Sequence, residues 1–307
     1  MKKGYEDIRT DLALEVRESF EDDDVEIKGV VLEEDYIKEK DLKITTVIIK
    51  DEQGAKAMRK PMGTYITIEA QKLSEKDDEY HSSISDEIGK YIRKLIGEDR
   101  EKGVMVVGLG NREVTPDALG PWVVDNLFIT RHLIKEYGED FQKRNKLTCV
   151  SALAPGVMAQ TGMEAVEIIR GIMKETKPSV ILAIDALASR SVHRVNTTIQ
   201  ISDTGISPGA GIGNNRMALN EDSLGVKVVA LGVPTVVDAM TIIRDSMENM
   251  LNSQGFTQKE VQSFFSEVTN QESFHNMFVT PKNIDESMKC ISFTISEAIN
   301  SCFCGRS

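Results

Sequence analysis

The sequence predicts an α/β fold: a mostly parallel central sheet flanked by helices, with an additional β-rich N-terminal portion. Three observations carry that prediction. Short apolar runs rich in β-branched residues recur at Val104-Met105-Val106-Val107, Val180-Ile181-Leu182-Ala183-Ile184 and Val226-Lys227-Val228-Val229-Ala230-Leu231. Bounded by glycine or proline, such runs read as strands buried on both faces of a parallel sheet. Amphipathic stretches alternate with them, and successive strand–helix units place helices on both faces. Ahead of them, Lys43–Ile49 and Thr64–Ile68 alternate as half-buried strands do.

Residues 1 to about 24 are polar and acidic, ending in Glu21-Asp22-Asp23-Asp24, and read as an extended or weakly helical leader. Strand-like alternation follows from Val25 to Ala70, with Asp51-Glu52-Gln53-Gly54 as a turn. A polar break from Ser74 to Ser83 precedes a helix over Ile84–Ile96. The Val104–Val107 strand leads through the loop Gly108–Pro121 to a helix from about Trp122 to Tyr137. A strand near Leu147–Ser151 leads to Ala154-Pro155-Gly156 and a further helix. There Thr161 and Glu164 make a capping-box pattern, and Met163, Val166, Ile169 and Met173 share one face. Lys174 and Lys177 suit that helix's negative end, and Pro178 stops it. The tail carries Ile284, Met288, Ile291, Ile295 and Ile299 at helical spacing. The expected organisation is a β-rich part over about 25–100, a core over about 101–250 and a helical part over about 251–307.

At 307 residues the chain can bury one large core or two modest ones. A content of 40% hydrophobic and 28% charged residues is that of a soluble globular protein. The net charge is −12, and the first 100 residues hold 26 Asp/Glu against 18 Lys/Arg. An acidic chain without a basic stripe argues against direct nucleic-acid binding. No run approaches the roughly 18 apolar residues that span a bilayer, and Met1–Asp7 lacks the apolar stretch of a secretory signal. The expectation is a cytoplasmic protein with no membrane partner. Cys149, Cys290, Cys302 and Cys304 lack zinc-like pairing and are expected to be reduced thiols.

Two acidic residues stand out because each follows an apolar strand. Asp117 lies in the Gly108–Pro121 loop, and Asp185 caps Val180–Ile184. Ligand crevices of open α/β sheets lie beyond the carboxyl ends of the strands, so two carboxylates delivered there can share a proton and activate a water. Gly108-x-Gly110 is no dinucleotide fingerprint, since Glu113 replaces its third glycine. Asp203-Thr204-Gly205 matches the tripeptide of pepsin-like proteases, but that site needs two copies in an all-β fold. Gly110, Asn111, Gly209 and Gly211, in the two Gly-rich loops, are candidates for oxyanion or loop support through backbone N–H groups. There is no His-Glu-x-x-His and no Gly-x-Ser-x-Gly elbow. Asp117, Asp185 and His193 leave a zinc site open. Arg190, His193 and Arg194 form a basic island suited to an acidic substrate side chain or to structural pairing with carboxylates from the N-terminal third.

Together these segments resemble the germination proteases of endospore-forming bacteria. The resemblance rests on Gly108–Pro121, Ala154–Glu164, Ala183–Arg190, Ser202–Arg216 and Leu231–Ala239, in that order. It implies an endopeptidase that degrades small acid-soluble spore proteins at germination, in the cytoplasm of the spore core. It further implies a homotetrameric zymogen activated by loss of an N-terminal propeptide, and a fold related to hydrogenase-maturation endopeptidases. The family's two proposed catalytic aspartates fall on Asp117 and Asp185. Family targets carry Thr-Glu, a bulky apolar residue, Ala and soon another Glu, with the cut after the first Glu. Thr10-Asp11-Leu12-Ala13-Leu14-Glu15 imitates that pattern, so residues 1–11 are expected to be a propeptide cut between Asp11 and Leu12, with 12–307 a single catalytic unit. The expected mechanism is an Asp117–Asp185 acid–base pair with no required cofactor, and Arg190 or Arg194 reading the acidic residue before the cut. The alternatives are a zinc peptidase using the same aspartates as ligands and a non-catalytic binder of spore proteins.

Overall fold

The computed structural model describes residues 10–20, 27–98, 103–213, 216–254, 256, 260 and 277–304. The acidic run at 21–24 and most of the segment 255–276 lie outside them. The strands are β1 (Val30–Ile37), β2 (Leu42–Ile49), β3 (Gly63–Ala70), β4 (Val104–Gly108), β5 (Val150–Leu153), β6 (Val180–Ser189), β7 (Thr198–Ser202), β8 (Lys227–Asp238) and β9 (Phe278–Val279). They form one sheet in the order β1-β2-β3-β7-β8-β6-β4-β5, with β9 beside the end of β8. The pairs β8–β6, β6–β4 and β4–β5 are parallel. From β8 outward, β7, β3, β2 and β1 join antiparallel, so the β-rich N-terminal portion continues the same sheet.

Ten helices are described: α1 (Ala13–Glu18), α2 (Glu52–Met58), α3 (Asp78–Ile96), α4 (Leu119–Asp125), α5 (Arg131–Arg144), α6 (Met158–Thr161), α7 (Ala165–Thr176), α8 (Glu221–Leu224), α9 (Ala239–Ser253) and α10 (Ile284–Phe303). Alternate residues of the central strands face opposite layers. Val104, Val106, Leu182, Ile184, Val229 and Leu231 pack with α3, α4 and α10. Met105, Val107, Ile181, Ala183 and Val228 pack with α7 and α8 on the other face. A third cluster joins Ala13, Val16 and Phe20 to Val47, Ile49, Met58 and Tyr65. The leader is therefore packed onto the sheet extension, with Leu12 and Ala13 fully buried.

Several boundaries differ from the sequence expectation, each for a local reason. Asp51–Gly54 is not a free turn: the Asp51 side chain accepts the Gly54 N–H at 2.8 Å and starts α2. Asp77 does the same for Tyr80 at 3.0 Å, so α3 begins inside the expected polar break. The 122–137 helix is two helices, α4 and α5, the first closed at Asn126. Thr161 ends α6 instead of capping the next helix, and α7 is entered through Glu164, whose N–H donates to the Glu167 carboxylate at 2.8 Å. β6 runs past Asp185 to Ser189, because β8 pairs with it along its whole length while β4 stops opposite Ile184. Asp185 thus lies beyond the end of β4 but inside a longer strand. Cys149, Cys290, Cys302 and Cys304 are joined by no disulfide. Among the described residues no helix is long and apolar enough to cross a membrane.

Candidate active site

Asp117 closes a short 3₁₀ turn, Thr115–Asp117, between β4 and α4. Two glycine positions shape this loop. A Cβ on Gly108 would sit 2.2 Å from the Gly120 carbonyl oxygen, so glycine lets α4 lie directly on β4. Gly110 has φ +110°, and a Cβ there would fall 1.9 Å from the Asp117 carbonyl oxygen. The resulting turn aims the Asn111 N–H at Asp117 Oδ2, 2.8 Å away. Thr235 of β8, itself buried, donates to the Pro116 carbonyl at 2.6 Å and ties the loop to the sheet.

Asp185 points from β6 into the same place. It is 5% exposed, and the Ala186 N–H reaches its Oδ1 at 3.0 Å. Asp117 and Asp185 line one cavity of about 430 Å³, together with Gly110, Gly209, Glu164 and Met217. Burial first, then the negative charges of Asp117 and Asp11, push the Asp185 pKa well above the ordinary carboxylate range, against the pull of the Ala186 N–H. Burial raises Asp117 as well, opposed by its bond from Asn111. Removal from water and a nearby negative charge both favour the protonated form of a carboxylate.

Asp11, from the leader, lines that cavity too. Its N–H donates to the Ala188 carbonyl at 2.9 Å, as an added strand would, and its Oδ2 accepts the Ala188 N–H at 2.9 Å. The Gly211 N–H is a further donor to that carboxylate. Gly209 and Gly213, both at φ +74°, frame the turn Ala210–Ile212 that presents Gly211, where a Cβ would lie 2.2 Å from Asp11 Oδ2. Burial raises the Asp11 pKa, partly offset by Lys60 and these N–H donors. The Asp11 carbonyl oxygen accepts Lys60 Nζ at 2.7 Å and Gln200 Nε2 at 3.2 Å, while Gln200 Oε1 accepts the Ala13 N–H at 2.7 Å.

The two arginines lie elsewhere than expected. Neither meets Asp11. Arg190 donates its backbone N–H to Glu15 at 2.7 Å, with Ser191 alongside at 2.9 Å, and its guanidinium reaches Asp245 at 3.3 Å. Arg194 pairs with Glu15 at 3.4 Å, Glu18 at 2.6 Å and Glu69 at 3.5 Å. Burial opposes its charge, but those three carboxylates outweigh it and raise its pKa. The basic island therefore receives an acidic side chain four residues beyond Asp11. Of the glycine-loop candidates, Asn111 offers its N–H to Asp117 and Gly211 offers its own to Asp11. Lys60, Gln200 and Ala188 were not anticipated. For Gln200 one signal exists: a long amide in the middle of a strand buried throughout must find polar partners.

His193 lines a separate cavity with Glu18, Glu69 and Arg194. It does not join Asp117 and Asp185, and among the described residues no three His, Cys, Asp or Glu converge as metal ligands. Asp203 of the Asp-Thr-Gly tripeptide accepts the Thr64 N–H at 2.7 Å and joins β3 to the end of β7. Asp11, whose carbonyl oxygen accepts from Lys60 and Gln200, thus lines the same cavity as Asp117 and Asp185.

The germination protease family profile matches residues 8–273. A germination protease of Caldanaerobacter subterraneus subsp. tengcongensis is 46% identical over 95% of this chain and 93% of its own. One from Clostridium perfringens is 44% identical over 95% of this chain and 94% of its own. The chain belongs to the germination protease family. It is accordingly an endopeptidase of spore germination, with Asp117 and Asp185 inside the matched region. A NiFe hydrogenase maturation protease from Thermococcus kodakarensis aligns over 68% of this chain and 98% of its own, at 13% identity and a TM-score of 0.33. That likeness is too slight to carry an argument about fold.

Proposed function

We propose that the chain is a zymogen that cuts its own Asp11–Leu12 bond with Asp117 and Asp185. It then cleaves small acid-soluble spore proteins after an acidic residue in the spore core, as a homotetramer. The observation that carries this reading is the seat of residues 10–15. In Thr10 through Glu15, which imitate the family's cleavage sequence, Asp11 lines the cavity of Asp117 and Asp185 with its carboxylate on backbone N–H groups, and Glu15 is held by the N–H groups of Arg190 and Ser191. In the proposed step the ionised carboxylate takes a proton from water, whose oxygen adds to the Asp11 carbonyl carbon. The carbonyl electron pair moves onto its oxygen. Collapse then expels the Leu12 nitrogen, which takes the proton held by the other carboxyl. The raised pKa of Asp185 favours it as the acid, and Asp117 as the base.

The test is an intact-mass time course on the full chain and on Asp117→Asn and Asp185→Asn. Loss of the first eleven residues from the parent, and an unchanged mass in each variant, is the expected result. A cut after Glu15 or retained cleavage in either variant refutes it. Incubation with a strong chelator leaves the rate unchanged on this reading, whereas loss reversed by zinc favours the metallopeptidase alternative. A mixture with spore protein that yields complex without fragments favours the non-catalytic binder.

A further inference from the structure

We infer that Lys60 and Gln200 are the oxyanion donors of this protease, with Lys60 the principal electrophile. The inference rests on the reading of residues 10–15 as a bound cleavage site, and it assigns a role to groups on the opposite side of the scissile carbonyl. Asp11 borders two cavities. One holds the aspartate pair, and the other is lined by Lys60, Gln200 and Gly232. Its carbonyl oxygen points into the second, where Lys60 Nζ at 2.7 Å and Gln200 Nε2 at 3.2 Å donate to it. Water activated in the first cavity attacks the carbon, and the developing charge meets two donors already in place at the carbonyl oxygen. Donors fixed where charge develops act without reorganisation during the step.

Both donors are held in place by their surroundings. Arg59, at φ +50°, ends α2 and turns the chain so that Lys60 faces inward, and Tyr65 Oη donates to the Pro61 carbonyl at 2.9 Å to hold that turn. Lys60 is partly buried, and burial lowers its pKa while Asp11 and Glu15 support its charge. Gln200 is oriented by the Ala13 N–H on its Oε1, which leaves Nε2 directed at Asp11. Partly burying an ammonium against a peptide carbonyl is a costly arrangement for anchoring a leader alone. It is an effective one for stabilising an alkoxide.

The experiment compares self-cleavage of the full chain with that of Lys60→Met and Gln200→Glu. The second keeps the acceptor for Ala13 and removes the donor to Asp11. Amide exchange at residues 12–15 reports whether the leader stays seated. The expected result is a rate lower by about 10²–10³-fold in each variant, with exchange protection at 12–15 retained. Unchanged rates overturn the inference, as does a loss no larger than the loss of protection. If Lys60→Met does not fold, Gln200→Glu decides alone by the same criterion. Failure of the parent chain to cut at Asp11–Leu12 instead removes the underlying reading, and is seen before any variant is made.

Discussion

Gly211→Ala isolates the seat of the acidic residue before the cut. Gly211 is outside the left-handed region, unlike Gly209 and Gly213, so the backbone accepts alanine and the effect is steric. The new Cβ would stand 2.2 Å from Asp11 Oδ2 and 2.6 Å from its Cγ. Carbon contacts settle near 3.5–4.0 Å, so the carboxylate must withdraw by more than about 1 Å. That withdrawal breaks its bonds from the Ala188 N–H, now 2.9 Å, and from Gly211. Hydrogen bonds to charged groups contribute about 1.5–3 kcal/mol each. Losing two slows self-cleavage by roughly 10²–10⁴-fold at about 1.4 kcal/mol per decade. The assay is the intact-mass time course, run on the parent, Gly211→Ala, Asp11→Ala and the double variant. If Gly211 acts through the Asp11 carboxylate, adding Gly211→Ala to Asp11→Ala changes little. A parental rate in Gly211→Ala, or equal slowing with and without the Asp11 side chain, refutes the reasoning.

The remaining predictions concern pH and the far side of the cleft. The rate of self-cleavage should trace a bell: its acid limb appears as Asp117 protonates, and its alkaline limb as Asp185 loses the proton held by burial and by Asp117 and Asp11. Both limbs lie above the ordinary carboxylate range. Stability of the uncut chain follows the same sign. Asp11, Asp117 and Asp185 all have raised folded-state pKa values, so their contribution is complete below the unfolded carboxylate pKa and is lost as pH rises through the raised values. Thermal midpoints of the parent and of Asp185→Asn between about pH 4.5 and 8 check this: the parent should lose stability relative to the variant as pH rises, and a parent that gains on the variant contradicts it. Glu15→Gln keeps shape but removes the charge that accepts Arg190 and Ser191 N–H groups at 2.7 and 2.9 Å. With about 1.5–3 kcal/mol lost, self-cleavage should slow by about 10–100-fold, read by the same mass assay; an unchanged rate removes Glu15 from recognition.

Much of the fold was legible because burial on both faces leaves a plain trace. Val104–Val107, Val180–Ile184 and Val226–Leu231 could not be solvent-facing, and each lies in the parallel centre of the sheet. The misread boundaries share one cause. Asp51 and Asp77 were taken for turn and break residues, whereas each satisfies a free N–H at a helix start, and only the geometry tells a cap from a turn. The leader was harder. It reads as extended or weakly helical, and nothing local predicts that Glu15 is 3% exposed, because Arg194 and the N–H groups of Arg190 and Ser191, some 175 residues away in sequence, complete it.

The site was legible in its acids and obscure in its donors, and the reason is electrostatic. Asp117 and Asp185 announce themselves because a charge straight after an apolar strand demands an explanation. The basic island invited the guess that an arginine reads the acidic residue before the cut. A guanidinium there would also stabilise the ionised form of Asp185 and drain the proton the pair must keep, since a full positive charge within a few ångströms lowers a carboxylate pKa. Backbone N–H groups of Ala188 and Gly211 bind the Asp11 carboxylate without bringing that charge. Lys60 acts on Asp11, and burial and negative neighbours set Asp185. The arginine charge is moved to Glu15 and Glu18, beyond the cut. Arg216 also lines the cavity, but its guanidinium faces Glu164 at 3.9 Å; on the proposed reading the remaining cations act where oxygen charge develops or the leader continues, and the aspartate pair keeps one proton with a third carboxylate in the same cavity.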